Sequence, residues 1–160
     1  MESDINHWIV ERLSVNLEQF NNLPACPFAK EAMLNNRIVV HEVQQVDMLT
    51  QLLDEYTQSW PEGKEVVVLG CTPDIVSSEQ LVQIVDTASK DFLSDRGYIA
   101  LEDHPDEVEQ IGGYVVNQGS YALILLQAAD KLNKARLILE RKGYYVNWDD
   151  DYKADVLSRA

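Results

Sequence analysis

The sequence predicts an α/β fold: a small sheet of three to four mostly parallel strands covered by helices, in a single domain spanning residues 1–160. Two observations carry this prediction. Short runs rich in β-branched and apolar residues predict three strands, at 37–43, 65–71 and 98–102. Apolar residues at helical spacing separate these runs, at 46–56 and 81–92. Because strand and helix alternate, right-handed crossovers would make successive strands parallel.

Two helices are predicted before the first strand. Ser3 is a suitable N-cap for an amphipathic helix, whose apolar face comprises Ile5, Trp8, Ile9, Leu13, Leu17 and Phe20. After a break at residues 21–24, Cys26 is the expected N-cap of a short second helix, with Pro27 at its first position. Asn35 and Asn36 would end that helix.

The second predicted strand has the strongest pattern. Residues 65–71 form a nearly continuous apolar run, which is typical of a strand covered on both faces. Ser77 and Gln80 then form a capping-box pair at the start of the next helix, and Gly97 is placed to end it.

Residues 120–127 are ambiguous, because a short apolar run is compatible with either a helix or a strand. Leu and Ala dominate this segment, and Ile124 is its one β-branched residue, so we predict a helix that continues to Gly143. A short strand pair around 114–116 could extend the sheet.

Charge and hydropathy restrict the partners. Thirteen basic residues against twenty-seven acidic ones give a net charge of -14, which repels nucleic acids and anionic membranes. The acidity is spread along the chain, apart from a cluster at 149–151, and is interpreted as a solvated surface. No apolar run reaches the length of a membrane span, and the N-terminus lacks a signal-peptide pattern. We therefore expect a cytoplasmic, acidic protein with two reduced cysteines, and leave a homo-oligomer open.

The candidate site lies where the strands end, because ligands of α/β sheets bind beyond the carboxyl ends of the strands. Cys26 would face the positive end of a helix dipole, which lowers the pKa of a thiol and makes it a nucleophile or a ligand. The alternative is a buried side chain that only starts the helix. A haem ligand is a third, less favoured interpretation, and the cofactor stays unknown.

His104 follows the third strand and precedes a proline that would stiffen its loop. In a Cys26–His104 pair, the imidazole would take the thiol proton, and Asp103 or Asp106 would orient the imidazole. The alternative is an exposed loop histidine. No CxxC or HxxxH spacing is present, so no metal site is predicted.

A substrate anion would bind beside this pair. Asn117, Ser120 and Tyr121 surround a predicted helix start, whose backbone N–H groups could hold a carboxylate or phosphate. Lys30, four residues after Cys26, is the nearby cation. The alternatives are a simple helix cap and a solvated lysine.

Four short motifs occur in one order: Trp8–Arg12 (WIVER), Ala25–Lys30 (ACPFAK), His104–Asp106 (HPD) and Asn117–Tyr121 (NQGSY). In these motifs, from Trp8 to Gln127, the chain resembles a bacterial family of unknown function and hypothetical proteins of marine phages. The family pattern has an aromatic residue where Asp103 stands here. The resemblance implies that these positions form one site, and it implies no reaction.

Two functional hypotheses follow. One is a small-molecule enzyme with a pocket centred on Cys26 and His104, with Asp103 as the orienting acid. The other is a noncatalytic binding or assembly module, in which the two proline-containing motifs only shape turns.

Overall fold

A computed structural model describes residues 1–158 as a four-stranded sheet with helices on both faces. Its strands are β3 (Ile38–Glu42), β4 (Val66–Cys71), β5 (Tyr98–Asp103) and β8 (Ala122–Ala128), arranged in the order β3-β4-β8-β5. The helices are α1 (Glu2–Trp8), α2 (Ala29–Leu34), α3 (Asp47–Gln58), α4 (Ser78–Ala88), α5 (Ala129–Arg141) and α6 (Asp150–Ser158).

The strand directions correct the prediction of a mostly parallel sheet. β3 pairs with β4 in parallel, but β8 pairs with β4 and β5 in antiparallel fashion. β3, β4 and β5 therefore run in one direction, and β8 lies inverted between β4 and β5. Two of the three pairings are antiparallel because the chain inserts β8 between two strands that would otherwise be neighbours.

The segment predicted as a helix at 120–127 forms β8 instead. Its side chains alternate between two apolar layers: Ile124 and Leu126 face one, and Leu123 and Leu125 face the other. Burial on both sides would stabilise an apolar run of this length as a helix or as a strand. Hydrogen bonding to two neighbouring strands favours the extended form. The predicted continuation is correct, since α5 follows at once and Gly143 adopts a left-handed conformation just after it.

Two apolar layers cover the sheet. α3 and α4 pack on one face, where the largest core cluster includes Leu53, Leu69, Leu81 and Leu126. α1 and α2 cover the other face around Ile5, Trp8, Val68 and Leu123. β4 contributes alternate residues to both layers, which confirms that it is covered on both faces.

A third cluster lies among aromatic residues: Phe20, Tyr144, Tyr145, Trp148 and Tyr152. It joins α5 and α6 to two short hairpins, β1 (Asn16–Leu17) with β2 (Leu23–Pro24) and β6 (Gln110–Ile111) with β7 (Tyr114–Val115). The predicted pair around 114–116 thus exists, but it forms its own two-stranded sheet.

Helix boundaries differ from the sequence prediction in the first third of the chain. α1 continues as a π-helical turn, Ile9–Leu13, and ends at Ser14, whose hydroxyl donates to the Ile9 carbonyl at 2.6 Å. Leu17 and Phe20 therefore lie beyond the helix, although Phe20 is fully buried. α2 begins at Ala29, so Phe28 and not Cys26 is its N-cap.

The predicted capping box of α4 is confirmed. Ser77 accepts from the Gln80 backbone N–H, and the Gln80 side chain accepts from the Ser77 N–H. No helix between residues 1 and 158 is long and apolar enough to cross a bilayer.

Candidate functional site

An open cleft of about 550 Å³ lies at the carboxyl end of β5. One wall is the first turns of α4, and the other comprises the end of β5, the loop that follows it and Asn117. Its lining residues are Ser78, Glu79, Val82, Gln83, Glu102, Asp103, His104, Glu107, Val108, Glu109 and Asn117. The expected place for a site, beyond the carboxyl end of the third predicted strand, therefore holds a cleft.

Asn117 is the centre of a buried hydrogen-bond network beside this cleft. Its Nδ2 donates to Asp103 Oδ1 at 2.6 Å and to the Glu107 carbonyl at 2.9 Å. Its Oδ1 accepts from the Glu109 backbone N–H at 2.5 Å. One amide thus joins the end of β5 to the loop at 107–109, so Asn117 fixes the shape of one wall of the cleft.

Asp103 is buried, with 9% of its surface exposed. Besides Asn117, the Gln118 backbone N–H donates to its Oδ2 at 2.8 Å. Desolvation raises the pKa of Asp103, and the hydrogen bonds from Gln118 and Asn117 oppose that rise. Both carboxylate oxygens are therefore occupied in holding the 117–118 segment.

The His104 imidazole joins two loops. Only 3% of His104 is exposed; its Nε2 lies 3.0 Å from the Val76 carbonyl, and its Nδ1 accepts from the Asp106 backbone N–H at 3.2 Å. A carbonyl can only accept, so the proton resides on Nε2. Both ring nitrogens are used, and the ring connects the loop after β4 to the loop after β5.

Cys26 does not line this cleft. Its backbone N–H donates to the Leu13 carbonyl at 2.8 Å, and Tyr144 Oη donates to the neighbouring Ala25 carbonyl. The half-buried residue lies beside the aromatic cluster. Desolvation raises the pKa of the Cys26 thiol, although the Phe28 and Ala29 N–H groups oppose that rise. The direction of this shift is opposite to the lowering expected from a helix dipole, and Cys26 lies two residues before Phe28, the N-cap of α2.

The predicted anion-binding residues are also dispersed. Tyr121 Oη donates to Asp4 Oδ2 at 2.9 Å and so anchors α1, while Ser120 and Lys30 are exposed. The Ser120 and Tyr121 N–H groups donate to Gln118 Oε1 at 2.8 and 2.9 Å. Of the predicted residues, the cleft brings together Asp103, His104 and Asn117, and Cys26, Lys30, Ser120 and Tyr121 lie outside its lining.

Carboxylates dominate the lining. No lysine or arginine lines the cleft, whereas five acidic residues do: Glu79, Glu102, Asp103, Glu107 and Glu109. Four of these residues are absent from the site predicted from the sequence, because the acidity is interpreted there as a solvated surface. The signal that could have found three of them was local, since five of the eight residues at 102–109 are acidic.

The raised pKa of Cys26 gives a direct expectation for its reactivity. At about pH 7.5, iodoacetamide should alkylate Cys26 in the folded protein more slowly than in the unfolded chain, because the raised pKa leaves less thiolate present. Peptide mapping by mass spectrometry separates Cys26 from the buried Cys71. Equal or faster alkylation of the folded protein would contradict the raised pKa of this thiol.

The described residues contain no group of three or more His, Cys, Asp or Glu side chains that could hold a metal ion. The chain matches no protein-family model, no curated protein and no solved structure.

Proposed function

We propose that the protein is a noncatalytic binding module whose acidic cleft takes a small organic cation of the polyamine class. The observation that carries the proposal is the cleft lining, with five carboxylate-bearing residues and no basic side chain. Closely spaced carboxylates raise the local negative potential, and the low-dielectric walls of a cleft concentrate it. An extended chain of ammonium groups offsets that potential at several points.

The geometry of the wall supports selectivity. Ser78 Oγ donates to Glu107 Oε1 at 3.3 Å, which connects the α4 side to the loop side. The Asn117 network holds residues 107 and 109 from behind. A ligand would therefore meet carboxylates on a prearranged loop, which lowers the entropic cost of binding.

Three observations favour this module over a cysteine–histidine enzyme. Both imidazole nitrogens of His104 are already bonded, and a general base needs one free to take a proton. The Cys26 pKa is raised, which opposes thiolate formation. Residues of two of the four motifs also hold distant segments together. Trp8 Nε1 donates to the Val116 carbonyl at 2.9 Å, and the Cys26 backbone N–H donates to the Leu13 carbonyl at 2.8 Å.

Calorimetric titration with spermine at low ionic strength tests this proposal. The double substitution Glu79→Gln and Glu107→Gln should weaken binding at least about tenfold, because two charges are removed from the cleft while side-chain size is kept. Binding to the unmodified protein should also weaken as salt is raised, through screening.

The matched control is Asp149→Asn with Asp150→Asn, which removes the same charge from outside the cleft. This variant should bind spermine within about twofold of the unmodified protein. Equal losses in both double variants would mean that spermine only follows net charge, and would refute a site in the cleft.

A further inference from the structure

Arg136 on α5 is a buried cation with an unused donor. It is 8% exposed, and its Nη2 donates to the Val156 carbonyl of α6 at 2.9 Å. Its Nη1 is buried and has no hydrogen-bond partner. Among residues 1–158, no carboxylate forms an ion pair with it. Desolvation lowers the pKa of Arg136, yet a guanidinium stays charged, so burial leaves an uncompensated cation.

This guanidinium lines a cavity of about 250 Å³ between α5 and α6. The cavity is smaller than the roughly 300–1,000 Å³ pockets that hold drug-sized ligands, so it suits a small molecule. Leu137, Leu157 and the Tyr145 ring supply its apolar walls, and Asn133 supplies an amide. A ligand that fits has an acidic group for Arg136 and an apolar body for the leucines.

Glu140 makes the charge requirement more specific. It lies one helical turn after Arg136, lines the same cavity and is exposed. Its carboxylate repels a ligand that is only anionic and attracts one that also carries an ammonium group. The pair Arg136 and Glu140 thus complements a zwitterion, in which carboxylate and ammonium lie close together.

Access to Nη1 requires a small opening, since this atom is shielded from solvent. α6 is the element that can supply it, because none of its residues is fully buried, whereas α5 carries the buried Arg136 and Leu139. An outward shift of α6 would break its hydrogen bonds from Arg136 to Val156 and from Tyr152 to Glu109, and a bidentate carboxylate would replace the first of them.

We infer that the cavity between α5 and α6 binds an apolar α-amino acid, with its carboxylate on Arg136, its ammonium group near Glu140 and its side chain against Leu137 and Leu157. The site shares no lining residue with the acidic cleft, so each can fail without the other.

Nuclear magnetic resonance titration with three probes tests the inference: L-leucine, L-leucinamide, which lacks the carboxylate, and 4-methylpentanoate, which lacks the ammonium group. Leucine should bind at least about tenfold more tightly than either analogue. Arg136→Met should weaken leucine binding at least about tenfold, and Arg141→Met, which changes an exposed arginine of the same helix, should leave it within about twofold.

If Arg136→Met fails to fold, the variant Glu140→Gln still tests whether leucine binds in this cavity. This variant should weaken leucine binding and tighten 4-methylpentanoate binding, because the repulsion of a pure anion is removed. The inference is overturned if leucine does not bind, if leucinamide binds as tightly as leucine, or if Glu140→Gln leaves both affinities unchanged.

Discussion

Replacing Asn117 with alanine is expected to lower the free energy of unfolding by about 3 kcal/mol. The substitution removes the donor to Asp103 and to the Glu107 carbonyl, and the acceptor of the Glu109 N–H. Each buried polar group that is left without a partner costs about 1–3 kcal/mol. The Asp103 carboxyl group is the costliest of these, because it stays buried while one of its hydrogen bonds is lost.

The neighbouring Gln118→Ala is the matched control for this prediction. The Gln118 side chain accepts only from the Ser120 and Tyr121 N–H groups, of which Ser120 belongs to an exposed turn. We expect a loss of about 1 kcal/mol or less, since water replaces the lost bonds. Urea denaturation compares the two variants. Similar losses in both would contradict the central position of Asn117 in the network.

Replacing Leu126 with alanine should lower the free energy of unfolding by about 2–5 kcal/mol, and Leu123→Ala should do the same. Both side chains have no exposed surface, and they lie on opposite faces of β8 in two different core clusters. Each truncation would leave a cavity in a well-packed layer. Thermal or urea denaturation of the two single variants measures these losses.

Leu34→Ala is the control for these truncations, because Leu34 is 70% exposed at the end of α2. Its effect should lie within about 0.5 kcal/mol of zero. An amphipathic surface helix at 120–127 would expose one face, so a small effect at either Leu123 or Leu126 would contradict a strand buried on both sides.

Much of the fold is readable from local patterns. β3, β4 and β5, together with α3 and α4, lie close to their predicted ranges, because each has β-branched runs, helical spacing or a capping box. These signals depend on neighbours within a few residues. Strand pairing depends on residues far apart in the chain. No local pattern in residues 122–128 indicates that they pair with both Val66–Cys71 and Tyr98–Asp103.

The β8 segment shows why propensity alone fails here. Leu and Ala favour a helix by a few tenths of a kcal/mol per residue, whereas burial of two leucines and an isoleucine contributes several kcal/mol. Tertiary contacts therefore decide the conformation. The Gly119 turn, with φ of 87°, precedes the strand and is compatible with either outcome.

Three of the seven predicted site residues, Asp103, His104 and Asn117, line the cleft. They meet where Asn117 donates to the Asp103 carboxylate and to the His104 carbonyl. The sequence indicates this place because ligands of α/β sheets bind beyond the carboxyl ends of the strands. The sequence predicts Cys26 at this site as the thiol partner of His104, but its backbone bond to Leu13 and the Tyr144 contact at Ala25 hold it near the aromatic cluster. Such long-range contacts leave no periodic signal in the sequence.

The acidic cleft is tested most directly by mapping where spermine binds, using backbone amide shifts of the isotope-labelled protein. Binding in the cleft predicts saturable shifts concentrated at residues 78–83 and 102–109, the two segments that contribute most of its lining residues. Shifts centred on the acidic cluster at 149–151, or spread evenly over exposed carboxylates, would contradict a specific cation site beside β5.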